Sequence, residues 1–259
     1  MFAHDTCNLF NFSIKEMMSS GKVLRNIGSK AASMEEVAER IVRYFFDLLV
    51  DEKGERAASL VRFFKTHPYG ELDEELQQFA RKMLGREPAS AAMKCLVLLG
   101  TAGEEAAWNS RRRSQGHQAI PLPSEEAIQQ IPMIYNLIRQ LGLETSALIQ
   151  PDPKLLLDMA QREFSVFHIA DARNSPYIPA QQEFVSPCGI RSVLGFGGLL
   201  PSGEIFAVIL FLKVSISREM AELFTTLSLN VKLALLPFEE AIFARTAKRV
   251  DSSPVRGRG

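Results

Sequence analysis

Only a few side chains in this chain are of types that could do chemistry. His117 stands in an irregular stretch and His168 at the end of an apolar run. An imidazole in either place can ligate haem iron, bind an anion, or serve only as a hydrogen-bonded structural group. Cys188 sits between Pro187 and Gly189. A thiol there can hold a linear tetrapyrrole or act as a redox switch if its pKa is lowered, and otherwise it packs as a small apolar residue. Trp108, Phe167, Tyr177 and Phe196 can line an apolar cavity with Arg191 as its one polar anchor, which is the general design of a small-molecule pocket, or they can be core. The run Arg111-Arg112-Arg113 suits a phosphate or carboxylate, but three adjacent basic residues read first as a solvated loop.

Catalytic patterns are missing from the sequence. It has no Walker-type loop, no Gly-x-Ser-x-Gly elbow and no metal-ligand spacing among His, Cys, Asp and Glu, so no metal site is expected. Gly195-Phe196-Gly197-Gly198 is followed by a turn and a strand, whereas a dinucleotide fingerprint opens a helix. A thiol enzyme would need Cys188 or Cys95 beside a resolving partner, and the three cysteines are far apart in sequence. The expectation is a binding protein, not an enzyme.

The elements that must position these residues are organised around Ile190 to Val214. Two apolar runs flank Leu200-Pro201-Ser202-Gly203, in which Pro suits the second turn position and Gly the fourth, so the stretch predicts a β-hairpin. Residues of both parities are apolar from Ile205 to Leu212, which predicts a strand covered on both faces. Gly195 and Gly197 leave bare backbone on one face of the first run, which suits either a closely packed helix or the floor of a ligand pocket.

Before the hairpin, residues 1–32 read as a flexible lead-in with room for a short helix near Phe10 to Met18. Ser33-Met34-Glu35-Glu36 is a capping box that opens an amphipathic helix, and Leu60 to Lys65 and Met93 to Gly100 read as strands. A helix spans Asp73 to Leu84, and two more follow Ser124 and Pro132. Thr145 to Ile149 reads as a short strand, Asp152-Pro153 opens a helix, and Ser165 to Ile169 is a strand. The stretch from Asp171 to Pro187 is a long loop of the kind that is usually functional. Ser217 caps a final helix on which Met220, Phe224, Leu227, Val231, Ala234, Phe238 and Ala241 recur at steps of four and three, the spacing of a dimer seam, with Met220, Phe224, Leu227, Val231 and Phe238 as its large members. The tail over 249–259 is expected to be disordered.

Composition narrows the role. The 30 basic and 30 acidic residues cancel, so no global field points to nucleic acid or to a membrane surface. No apolar run is long enough to span a bilayer, and the odd, dispersed cysteines fit a reducing cytoplasm.

This arrangement, an α+β chain with an antiparallel sheet of about six strands between amphipathic N- and C-terminal helices, resembles a GAF domain, a relative of the PAS fold. The resemblance is strongest in LVRFFKTHPYG (60–70), WNSRRRSQGHQAIPLPS (108–124) and YIPAQQEFVSPCGIRSVLGFGGLLPSGEIFAVILFLKV (177–214). These are similar to the N-terminal sensory region of bacterial sensor and hybrid histidine kinases. The resemblance implies a GAF-like sensor domain over 33–248 that acts as a cytoplasmic input domain of a two-component signalling protein. It further implies a homodimer, downstream PAS or kinase domains, and a small-molecule ligand relayed through the C-terminal helix. It names no cofactor, and a ligand-free dimerisation module remains the alternative. The chain carries no phospho-acceptor helix and no ATP-binding boxes.

Overall fold

A strand that is apolar on both faces can only be stable inside a covered sheet, and Ile205–Leu212 lies there. The structure, a computed structural model, describes residues 6–85, 88–114, 116–149 and 166–244. Six strands form one antiparallel sheet: β1 (Ala58–Pro68), β2 (Lys94–Gly103), β3 (Ala119–Leu122), β4 (Phe167–Ile169), β5 (Ser192–Leu199) and β6 (Ile205–Leu212). Their spatial order is β3-β2-β1-β6-β5-β4, so β1 and β6 are central. The hairpin joins β5 to β6, with Leu199 opposite Ile205 and Ser192 opposite Leu212.

Each face of the sheet carries its own core. Phe206, Val208, Leu210 and Leu212 join one cluster, and Ile205, Ala207, Ile209 and Phe211 join the other. The first face is covered by α1 (Ile14–Asn26), α2 (Met34–Leu48) and the paired helices α7 (Arg218–Leu223) and α8 (Thr225–Leu235). Helix α3 (Glu74–Leu84) adds Leu76 and Ala80 to the same cluster. The second face is covered by α4 (Glu125–Gln129), α5 (Pro132–Gln140), α6 (Thr145–Ile149) and the loop around Ile178. The α+β sheet between flanking helices is therefore as expected. Ser33, Ser124 and Ser217 each cap their helix through the side-chain oxygen, and Pro132 occupies the first position of α5.

Several expectations are corrected. Residues 14–26, read as part of a lead-in, form a helix with its own capping box, in which the Ser13 hydroxyl and the Glu16 carboxylate meet. The helix is held by side-by-side packing on α8, where Phe12 stacks on Phe224 at 4.7 Å between ring centroids. Thr145–Ile149 is a helix, not a strand, because its short apolar run packs beside α4 and α5 and not at a sheet edge.

The dimer seam is also reassigned. Phe224, Leu227 and Val231 are 0% exposed within their own subunit and pack on the sheet, Met220 and Phe238 are half-buried beside them, and the helix breaks at Phe224. The helix over Asp152-Pro153 and the tail over 249–259 lie outside the described residues. Among the described residues no helix is long and apolar enough to cross a membrane.

Candidate functional site

The second face of the sheet does not close completely. Between β1, β2, β6, the start of α5 and the loop over 177–184 lies a cavity of about 430 Å³. That volume falls in the range of small-molecule sites. Its floor is strand surface: Leu60, Arg62 and Phe64 from β1, Leu96 from β2, and Ile209 and Phe211 from β6. These are alternate residues of one pleat, as a sheet face requires.

One wall is aromatic. The Trp108 ring meets Phe184 edge-on at 5.7 Å, and Phe184 meets Phe211 the same way at 5.0 Å. Trp108 is placed by β2: Thr101 Oγ1 donates to the Trp108 carbonyl at 2.8 Å, and the ring lies over Gly103, where an added Cβ would come within 2.8 Å of it. Phe184 is placed by a single π-helical turn, Gln181–Val185, tied down where Gln181 Nε2 donates to the carbonyls of Ala172 and Ile178 at 3.0 and 2.8 Å. Such turns frequently mark functional sites. The opposite wall comes from Ile131, Met133, Ile134 and Leu137, where Pro132 starts α5.

The polar groups are few. Arg62 Nη1 lies 3.5 Å from His117 Nδ1 and Nη2 lies 3.4 Å from Ser114 Oγ, both long for hydrogen bonds. Burial pushes the Arg62 pKa down to about 10, so it stays charged at neutral pH. His117 reaches solvent at the mouth, and its backbone sits at φ 65°, a left-handed conformation that non-glycine residues rarely adopt. Partial desolvation and, after it, the Arg62 charge hold its pKa below the usual value, which favours the neutral ring at neutral pH.

Of the eight residues expected to bind ligand, the structure brings Trp108, His117 and Tyr177 together here. The other five lie elsewhere. Phe196 points through the sheet to the opposite core, against Phe45 at 5.4 Å and Phe224 at 5.8 Å, because neighbouring strand residues face opposite ways. Phe167 is fully buried and covers Gly195, where an added Cβ would lie 3.0 Å from it and 3.2 Å from Leu137. That glycine is therefore a packing site and not a pocket floor. At Gly197 an added Cβ would lie 2.1 Å from the Phe206 carbonyl oxygen, so backbone occupies that space.

His168 is structural. Its Nε2 is 3.1 Å from the Ile216 carbonyl, which accepts a hydrogen bond from it, and its backbone N–H donates to Gln140 Oε1. Burial is the main effect lowering its pKa. Arg191 is exposed ahead of β5. Cys188 is half-buried, and burial pushes its pKa up, away from the thiolate that tetrapyrrole attachment or redox chemistry needs.

The basic run divides as well. Arg112 and Arg113 are exposed, but Arg111 is buried and donates to both carboxylate oxygens of Glu35, at 2.6 and 3.1 Å. It is a clamp on the start of α2 and not part of a solvated loop. Among the described residues, no group of three or more His, Cys, Asp or Glu could hold a metal ion.

No protein-family model and no curated protein sequence matches this chain. Solved structures similar to it include the GAF domain from a phosphoenolpyruvate-protein phosphotransferase (ptsP) of Coxiella burnetii. That structure is 13% identical with a TM-score of 0.41, over 86% of this chain and 93% of that chain. Another is the phycoerythrobilin-bound GAF domain from a cyanobacterial phytochrome, 9% identical with a TM-score of 0.38, over 88% of this chain and 98% of that chain. Identities and scores this low say nothing of ligand or partner.

Proposed function

We propose that the chain is a signal-sensing module that takes a small organic molecule into the cavity between the sheet and α5. One observation carries this reading: about 430 Å³ of space walled by aromatic and aliphatic side chains, with a charged group in its floor. A domain built only to dimerise gains nothing from such space, because a void forfeits the packing contacts that filling it would supply.

Binding would act on the loop over 177–184 and on α5, and through the shared sheet on α8, which packs against β5 on the other face. That is a route by which occupancy can bias two arrangements of the closing helix. In keeping with the similarity to sensory regions of histidine kinases, the module would be a cytoplasmic, non-catalytic input domain of a two-component protein, ahead of PAS or kinase domains. It would work as a homodimer through the apolar residues that α1 and α8 leave exposed: Ile14, Met18, Leu229 and Leu233.

The test is a thermal-shift screen of the purified protein against small metabolites, followed by native mass spectrometry of the hits. Expected is a compound that raises Tm and adds its mass one to one per chain, and that does neither with Ala180→Trp, which places an indole in the cavity wall. A hit that stabilises both proteins equally binds elsewhere, and a broad screen without hits defeats the reading.

A further inference from the structure

We propose that the ligand is an amphipathic organic monocarboxylate, with its carboxylate on Arg62, His117 as a second donor, and its apolar body against Trp108, Phe184 and Phe211. This rests on the ligand-pocket reading and deepens it.

Arg62 is the reason. It sits in mid-strand between Leu60 and Phe64, and all three line the cavity. A guanidinium carries five N–H donors and accepts nothing, so in an apolar setting it requires acceptors. Those present are poor: the Nδ1 of His117 and the hydroxyl oxygen of Ser114 stand at 3.5 and 3.4 Å. Nε is sealed from solvent with no hydrogen-bond partner, and no carboxylate forms an ion pair with the group among the described residues. The Ser114 hydroxyl hydrogen is already committed to the Gly116 carbonyl at 2.7 Å, so Ser114 offers Arg62 only its oxygen. The protein thus keeps a desolvated cation without supplying its counter-charge.

The neighbouring imidazole narrows the class. Arg62 can only donate, so the contact assigns the Nδ1 lone pair of His117 to Arg62 and leaves the ring proton on Nε2. His117 therefore adds a donor but no charge. One fixed positive charge among apolar walls matches one negative charge, and the planar fork of a guanidinium matches the two oxygens of a carboxylate. A phosphate monoester brings nearly two charges and would leave one unbalanced.

Trp108, the single Trp of the chain, lies in the cavity wall and serves as a fluorescent reporter. The experiment titrates phenylacetate, phenylethanol and phenyl phosphate into the purified protein, following Trp108 emission, and repeats this with Arg62→Met. Expected is that phenylacetate binds about tenfold more tightly than phenylethanol, as a charge-assisted pair requires, and also more tightly than phenyl phosphate. In Arg62→Met the preference for phenylacetate over phenylethanol falls to about unity, while the Tm of the ligand-free protein stays or rises, since a partly buried, unpaired cation has been replaced by an apolar chain.

Equal affinity for phenylacetate and phenylethanol overturns the carboxylate assignment while leaving the pocket reading standing. Tighter binding of phenyl phosphate overturns it too. An Arg62→Met protein with a lowered Tm and an unchanged preference makes Arg62 structural. If none of the three probes moves Trp108 emission or Tm, this assignment falls, and the pocket reading is then decided by the broad metabolite screen.

Discussion

His67 shows how far a single side chain can set the conditions under which this fold persists. It is 8% exposed, its Nδ1 has no hydrogen-bond partner among the described residues, and burial, reinforced by Lys65 and Lys94, pushes its pKa down to about 4. The Glu71 carboxylate at 3.6 Å and the Phe243 ring, edge-on at 5.4 Å, complete its surroundings. An unfolded histidine takes its proton near pH 6.5, so between there and about 4 the unfolded chain binds the extra proton and stability falls as pH falls. From pH 7 to pH 5 the loss from this residue is about 2 kcal/mol. Denaturant unfolding at both pH values should show that loss in the parent protein and a correspondingly smaller one in His67→Leu. Equal losses in the two would mean that His67 takes up its proton in the fold as readily as in the unfolded chain. The site was legible in the same residue-by-residue way, but only in part. Trp108, His117 and Tyr177 could be found because aromatic and imidazole groups in irregular stretches stand out. Arg62 was missed although it carries a signal: in Leu60-Val61-Arg62-Phe63-Phe64 a lone charge interrupts a strand apolar on both faces, and such a charge must face something polar.

At the scale of elements, close packing of helix on sheet is concentrated at Gly100, where β2 passes under α2. A Cβ there would lie 2.7 Å from the backbone carbonyl of Ala38, which cannot move without displacing the helix. Gly100→Ala should therefore destabilise by about 2 kcal/mol, the usual cost of overpacking, although alanine is otherwise compatible with a strand. The midpoint of denaturant unfolding measures it, and a neutral result would mean that α2 can shift away from the sheet freely. This contact accounts for one weakness of the sequence reading. A strand glycine says that something comes close but not what, and the same signal is a helix at Gly100, a phenylalanine at Gly195 and a neighbouring strand at Gly197. Elements with strong local chemistry were readable: serine-capped helices, the Pro-Ser-Gly hairpin, and strands apolar at both parities. Short apolar runs were not. Thr145–Ile149 has strand-like composition, yet its contacts with α4 and α5 make it helical.

Across the whole molecule, α8 has two apolar stripes that answer to different partners. Phe224, Leu227, Val231 and Leu235 are 0% exposed and face the sheet of their own chain. Leu229 and Leu233 are 59% and 44% exposed, and α1 alongside adds Ile14 and Met18 at 63% and 66%. The two helices run in parallel, with Phe12 beside Phe224, Gly21 against Asn230 and Gly28 against the Ala234 carbonyl. The three-and-four spacing of the inner stripe is real, but spacing marks only that a face is covered and leaves open whether the cover is the same chain or a second one. The two stripes predict opposite outcomes. Leu233→Glu puts a charge on the outer stripe and should leave the unfolding free energy within about 1 kcal/mol of the parent while converting the proposed dimer to a monomer, read by native mass spectrometry at micromolar protein. Leu227→Glu buries an unpaired carboxylate in the core and should cost about 4 kcal/mol or more, so that the protein fails to fold and does not become a folded monomer. A parent protein that is already monomeric, or a Leu233→Glu variant that keeps the dimer mass, would leave the outer stripe without a role in self-association. The proposed relay from the pocket would then have to leave the domain by some other element than α8.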